Sequence, residues 1–86
     1  MTEKDKQIKE GQDAKMLLEN PLLVGAFNQI LNEGYQQWIS TKPEEKEARE
    51  SLYHGQIAAL KFKGVLIKTM ENGQLLEQER KEKKHG

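Results

Sequence analysis

The chain has no cysteine among its 86 residues. Disulfides, thiolate nucleophiles and cysteine-ligated zinc sites are therefore excluded. It also has only two prolines, and aromatic residues make up 6% of it. A chain this short has little interior to fill, and the usual covalent and metal supports of a small fold are missing. Its stability must come from dense packing between its own elements or from a partner.

Neither sign of charge is in excess. Fourteen basic and fourteen acidic residues cancel, which argues against a protein whose main task is to coat nucleic acid or an anionic membrane. The first ten residues, MTEKDKQIKE, are charged where a signal peptide has an apolar segment. No stretch approaches the about 20 apolar residues of a membrane span. We expect a cytoplasmic protein with no membrane partner.

Helix-forming residues dominate, and they predict an all-α fold in a single domain, 1–86. Charged residues reach 33% and apolar residues 35% of the chain, against about 25% and 45–50% in average domains. Asn20-Pro21 predicts a boundary between two helices, because proline disfavours a helical residue before it and fits the first turn after it. Asn20 would cap the second helix. We expect residues 1–12 to fray.

The core of the predicted fold is an antiparallel helical hairpin, formed by segments 17–40 and 43–71. Thr41 and Glu44 have capping-box spacing before the second segment, and the short connection favours antiparallel helices. Asn72-Gly73 predicts the end of that helix by a left-handed C-cap. Residues 74–86 would form a short last helix and a charged tail.

The long third helix carries two apolar lines at helical spacing. The first predicts packing on the second helix, pairing Leu23, Phe27, Leu31 and Trp38 with Leu52, Ala59, Phe62 and Leu66. The second line lies about 100° away around the helix at 100° per residue, and it comprises Tyr53, Ile57, Leu60, Gly64 and Ile67. A surface helix usually needs one apolar face. We predict that the second line is a protein interface and that the chain self-associates, with a dimer completing a helical bundle. The competing interpretation is a monomeric bundle whose first and last segments cover that line.

Two glycines inside this helix, Gly55 and Gly64, predict sites of close approach between helices, because glycine weakens a helix interior by about 0.5–1 kcal/mol relative to alanine. Catalytic chemistry is hard to assemble from the other residues. We predict no enzyme activity, no cofactor and no metal, since only two histidines occur and no serine has a neighbouring base with an orienting group.

Three lysines without an intervening acid, Lys61, Lys63 and Lys68, are the best candidates for contact with nucleic acid. Lysines near the C-terminal part of a helix also complement its dipole, so a solvated face explains them with fewer assumptions. The tail RKEKKHG is a second basic cluster. Nucleic acid is therefore an alternative partner and not the favoured one.

The segment from Leu17 to Leu76 resembles a loose class of short, all-helical phage-encoded proteins. The resemblance lies in LLENPLLVGAF, a following tryptophan, ARESLY and the glycine of MENGQL. Members of this class are mostly of unassigned function, and the resemblance implies a phage or prophage origin. Our leading hypothesis is a phage accessory or virion-assembly protein that contacts phage or host proteins, in the host cytoplasm or the virion. The alternatives are a packaging or regulatory protein resembling a small terminase subunit, and an inhibitor of a host protein.

Overall fold

The protein consists of three α-helices in this computed structural model, which describes residues 2–85, with side chains for 2–82. They are α1 (Glu3–Glu19), α2 (Pro21–Ser40) and α3 (Lys46–His85). Between residues 2 and 85 no strand is present. The predicted all-α class is confirmed, and the three helices pack together. The first dozen residues, for which we expect fraying, are helical from Glu3 onward.

Local capping explains where the first two helices begin. The Thr2 side chain accepts from the backbone N–H of Asp5, and the Asp5 carboxylate accepts from the Thr2 backbone N–H, which is a capping box. Asn20 Oδ1 accepts from the N–H groups of Leu22 and Leu23, at 2.8 and 3.3 Å. Asn20 therefore caps α2 as the sequence predicts, and Pro21 occupies its first turn.

Both α1 and α2 run antiparallel to α3 and lie one after the other along it. Lys4 pairs with Glu79, and Gln7 accepts from Asn72. Further along, Leu31 accepts from Gln56. Residue numbers rise in one partner as they fall in the other, so both pairs of helices are antiparallel. Because α1 contacts the C-terminal part of α3 and α2 contacts its N-terminal part, α3 spans the length of the other two helices together. The result is a rod of 62 × 23 × 20 Å.

The contact between α1 and α3 is the tighter of the two and contains the small core. Ile8 and Ala14 are its buried apolar side chains, with 7% and 3% exposure. Gly11 and Gly73 are also buried and let the two backbones meet. Salt bridges of Lys4 with Glu79 and of Asp5 with Arg80 flank this contact. Small residues and peripheral charges therefore hold α1 in place.

The contact between α2 and α3 is looser, and no residue of α2 is buried. Six of the eight side chains predicted to pack here are half-buried: Leu23, Phe27, Leu31, Leu52, Ala59 and Leu66. The other two, Trp38 and Phe62, are 40% and 58% exposed. Phe62 was predicted to face α2, but it lies at the margin of the contact because two helices alone cannot enclose a large side chain.

The connection from α2 to α3 differs from the predicted capping box. Thr41 ends α2, since its hydroxyl donates to the Trp38 carbonyl at 2.6 Å. A turn follows, in which the Glu45 N–H donates to the Lys42 carbonyl at 2.9 Å, and α3 begins at Lys46. The predicted start at Pro43 is wrong, since Pro43 and Glu44 lie in this turn and α3 begins after it.

The predicted helix end at Asn72-Gly73 is also wrong, since α3 continues to His85 without a separate last helix. None of the glycines in the described chain has a positive φ angle, so the left-handed cap does not form. Asn72 instead donates its side-chain amide to Gln7 at 2.9 Å. Gly73 packs on α1. Packing against α1 thus offsets the low helix propensity of both residues.

The two glycines predicted to mark close approach do not do so within the chain. A Cβ built on Gly55 or Gly64 would meet nothing within 4 Å. The close approach lies instead at Gly11 and Gly73, where each Cβ would meet the other residue's Cα at 2.7 to 2.8 Å. Gly11 and Gly73 meet because α1 covers a part of α3 beyond the predicted hairpin, and an approach of Gly55 or Gly64 to a second copy stays a prediction.

Candidate interaction surface

An apolar groove lies between α2 and α3. Its volume is about 220 Å³. Its walls are formed mainly by side chains of Leu23, Ala26, Phe27, Ile30, Ala59 and Phe62. Among these, Ile30 and Phe62 are 54% and 58% exposed. The groove is open because α2 presents a broad apolar face while α3 covers only its middle.

Two polar residues, Asn28 and Lys63, border this groove. The Lys63 ammonium lies over the Phe27 ring, 4.9 Å from the ring centroid. A cation in this position is attracted by the π face of the ring, and its aliphatic stem covers part of the apolar surface. Lys63 therefore belongs to the edge of the groove rather than to a separate basic patch.

Aromatic side chains gather near the connection between α2 and α3. Tyr35, Trp38 and Tyr53 line a shallow depression together with Gly34, Leu52 and Gln56. The Arg49 guanidinium stacks on Trp38, 4.1 Å from the ring centroid, while its Nε is buried without a hydrogen-bond partner. Both tyrosines are 59% exposed. Arg49 thus covers one face of Trp38, while the two tyrosine rings are accessible to solvent.

The predicted protein interface lies on the same side of α3 as this depression. Tyr53 and Leu60 are 59% and 49% exposed, whereas Ile57, Gly64 and Ile67 are half-buried. At 100° per residue these five positions share one side of a continuous helix. The chain thus has an apolar strip there, and the role of that strip as an interface stays a prediction.

The three candidate lysines do not share one face of α3. Lys61 and Lys68 are seven residues apart and lie within about 20° of each other, but Lys63 points about 160° away from Lys61. All three are exposed. In the basic tail, Arg80 pairs with Asp5, and the side chains of residues 83–86 lie outside the described part of the chain. The lysine cluster of the sequence is therefore divided between two sides.

Residues 2–82 contain no group of three or more histidine, aspartate or glutamate side chains placed to hold a metal ion. His54 is exposed and lies 3.5 Å from Glu50 on the same helix. No helix in the described part of the chain is both long and apolar enough to cross a membrane.

Comparison with protein-family models, with curated proteins and with solved structures finds no significant match to this chain. The surfaces themselves must therefore carry any argument about function. Sequence reasoning missed the groove because it assigned Phe62 to the buried line. The sequence did contain an indication of the groove. Ala26 and Ile30 lie at the edge of the apolar stripe of α2 and make that stripe wider than one neighbouring helix can cover.

Proposed function

We propose that the protein is a non-enzymatic, self-associating helical protein that acts through protein–protein contacts. In this proposal a helical hairpin is completed as a bundle by a second copy. The observation that supports it most directly is the extent of exposed apolar surface. In the part of the chain whose side chains are described, thirteen large apolar side chains are exposed, among them Leu22 at 82% and Val65 at 63%. Val24, Ile30 and Phe62, which are among them, lie together around the groove between α2 and α3, and contiguous apolar surface marks interaction sites on small proteins.

The total surface area points the same way. The chain exposes 6902 Å², whereas a compact single-chain protein of 9.9 kDa exposes about 5,200 Å². The excess of about 1,700 Å² reflects a rod that is two helices thick. Ile8 and Ala14 are the two buried apolar side chains among residues 2–82, and so small a core supplies little hydrophobic stabilisation alone. Association is the simplest way to supply the missing core.

The setting that we propose is that of a phage accessory or virion-assembly factor, and it rests on the sequence resemblance. Such a protein works by contact with its own copies and with phage or host proteins. The exposed Tyr35 and Tyr53 rings support a protein partner, because tyrosine is enriched among residues that dominate binding energy. Inhibition of a host protein would use the same surface.

Light scattering coupled to size-exclusion chromatography tests self-association. We expect a mass that is a multiple of 9.9 kDa, and a midpoint of thermal unfolding that rises with protein concentration. A monomeric mass from micromolar to millimolar concentration, with a concentration-independent midpoint, would show that the proposal is wrong.

The nucleic-acid alternative has weaker support, since Lys61 and Lys68 form a pair and not a stripe. It predicts duplex binding that weakens steeply with salt. A mobility-shift experiment at low salt distinguishes the two, with Lys61→Gln/Lys68→Gln as the variant. Binding that this variant loses would favour the alternative, and the absence of any shift would remove it.

A further inference from the structure

The groove between α2 and α3 has room for a large side chain. Its volume of about 220 Å³ exceeds the roughly 150 Å³ of an apolar cavity that admits a benzene ring. Its lining is almost entirely aliphatic and aromatic, with Phe27 at its centre and Lys63 at its edge. Such a groove selects an apolar side chain, because its walls offer a charge no partner except Asn28 and Lys63 at the edge.

The same groove also carries side chains of the kind that would fill it. Ile30 and Phe62 both line it and are both more than half exposed. A two-fold dimer uses one patch on both subunits, so that patch must supply both the pocket and the side chain that enters it. The groove meets this requirement, because two of its wall residues, Ile30 and Phe62, are also accessible enough to enter a second groove.

The area and the charge of the chain suit a second copy. A standard interface buries about 800 Å² on each partner, and obligate homodimers bury more. The excess surface of about 1,700 Å² over a compact chain of this mass falls in the homodimer range. The formal net charge is zero, so two copies approach without net electrostatic repulsion.

We infer that this groove is the docking site for a second copy of the chain. Two hairpins pack face to face about a two-fold axis, with Ile30 and Phe62 of each copy entering the groove of the other. The four segments of α2 and α3 then form a four-helix bundle with a shared core. This inference rests on the proposed self-association and names its surface.

The groove and the predicted interface strip lie on different sides of α3. Phe62 and Leu60 are two residues apart and so point about 160° away from each other. Pairing through the groove therefore leaves Tyr53 and Leu60 uncovered. It also assigns the strip to another protein, so that self-association and partner binding would use separate surfaces.

Two pairs of variants with matched exposure decide which surface dimerises. Phe62→Glu and Ile30→Glu introduce a charge at groove positions that are 58% and 54% exposed, and Tyr53→Glu and Leu60→Glu do so on the strip at 59% and 49%. We expect the groove variants to raise the dimer Kd by about 30-fold or more, the size of a binding hot spot. The strip variants should leave it within a few-fold.

A second measurement does not depend on a charged substitution. Because the chain has no cysteine, Ala26→Cys in the groove and Tyr53→Cys on the strip each give one reactive thiol. A short bismaleimide should link two copies through position 26 and not through position 53. Circular dichroism checks that every variant is helical, and the linking result stands even if a glutamate variant unfolds.

Docking at the groove and self-association can fail separately in these experiments. Dimers that survive the groove variants but not the strip variants would overturn docking at the groove and leave self-association intact. Equal loss in both pairs, or linking through both positions, would also overturn it. A wild-type chain that is monomeric at all concentrations would overturn both.

Discussion

Gly11 of α1 and Gly73 of α3 lie face to face, and a Cβ on Gly11 would be 2.7 Å from the Gly73 Cα. Both neighbouring atoms are backbone atoms, so neither can turn aside as a side chain would. The pair therefore fixes how closely α1 can lie on α3. Asn72, next to Gly73, donates to Gln7 at 2.9 Å, which sets the register of the same contact.

Gly73→Ala should destabilise the protein, because the added methyl group forces two backbones apart at a steric cost of about 1–3 kcal/mol. This loss outweighs the about 1 kcal/mol by which alanine favours a helix over glycine. Gly25→Ala is the matched control, since a Cβ there meets nothing within 4 Å, and it should be stabilising. Urea unfolding followed by circular dichroism measures both. A stabilised Gly73→Ala variant would contradict the close contact.

Gly34 and Gln56 should be energetically coupled. The Gln56 amide donates to the Leu31 carbonyl at 3.1 Å and occupies the place that a Cβ on Gly34 would take. In the wild type, Gly34→Ala should be nearly neutral, because the lost hydrogen bond of about 1 kcal/mol offsets the gain in helix propensity. In a Gln56→Ala background, Gly34→Ala should stabilise by about 1 kcal/mol. A double-mutant cycle measures the coupling, and strict additivity would show that the two residues do not compete.

The stacking of Arg49 on Trp38 should be visible in fluorescence, because Trp38 is the only tryptophan. Arg49→Gln removes the guanidinium, 4.1 Å from the ring centroid, and should shift the emission to longer wavelength as water reaches the ring. The stability loss should be about 0.5–1 kcal/mol, as expected of a partly exposed cation–π pair. Lys42→Gln, in the nearby connection, is the charge-matched control. Identical spectra for both variants would argue against the stacking.

The start of α1 should be more sensitive to Asp5 than to its ion-pair partner Arg80. Arg80→Ala removes only a partly exposed ion pair and should lower the free energy of unfolding by at most about 1 kcal/mol. Asp5→Ala removes the same pair and also the carboxylate of the Thr2 capping box, which adds roughly 0.5–1 kcal/mol. Hydrogen exchange of the α1 amides should rise in the same order. Equal exchange in the two variants would show that the capping box contributes nothing.

The sequence predicted those features that depend on neighbouring residues. The break at Asn20-Pro21 and the capping by Asn20 follow from local sterics and hydrogen bonding, and both are present in the structure. The apolar stripe of α2 was identified from helical periodicity. The sequence also identified the apolar strip around Tyr53 and Leu60, whose role as an interface stays a prediction, but it did not predict the groove at Ile30 and Phe62.

The predictions that failed concern residues with two locally acceptable roles. Thr41 can begin one helix or end another, and its hydroxyl ends α2. Asn72-Gly73 can cap a helix or continue it, and α1 decides the matter by packing on Gly73. Local propensity differences of about 1 kcal/mol are too small to fix such choices against a tertiary contact.

The sequence by itself determined the helical class and the break after α1, because proline geometry, capping and helix propensity act within a few residues. Only the tertiary structure decided that α3 continues past Gly73, which glycines meet, and on which side Phe62 remains exposed. Those outcomes depend on how α1 and α2 share the length of α3. Because α1 and α2 lie end to end along α3, the protein is only two helices thick at any point. Apolar side chains such as Phe62 therefore remain exposed beside the contact.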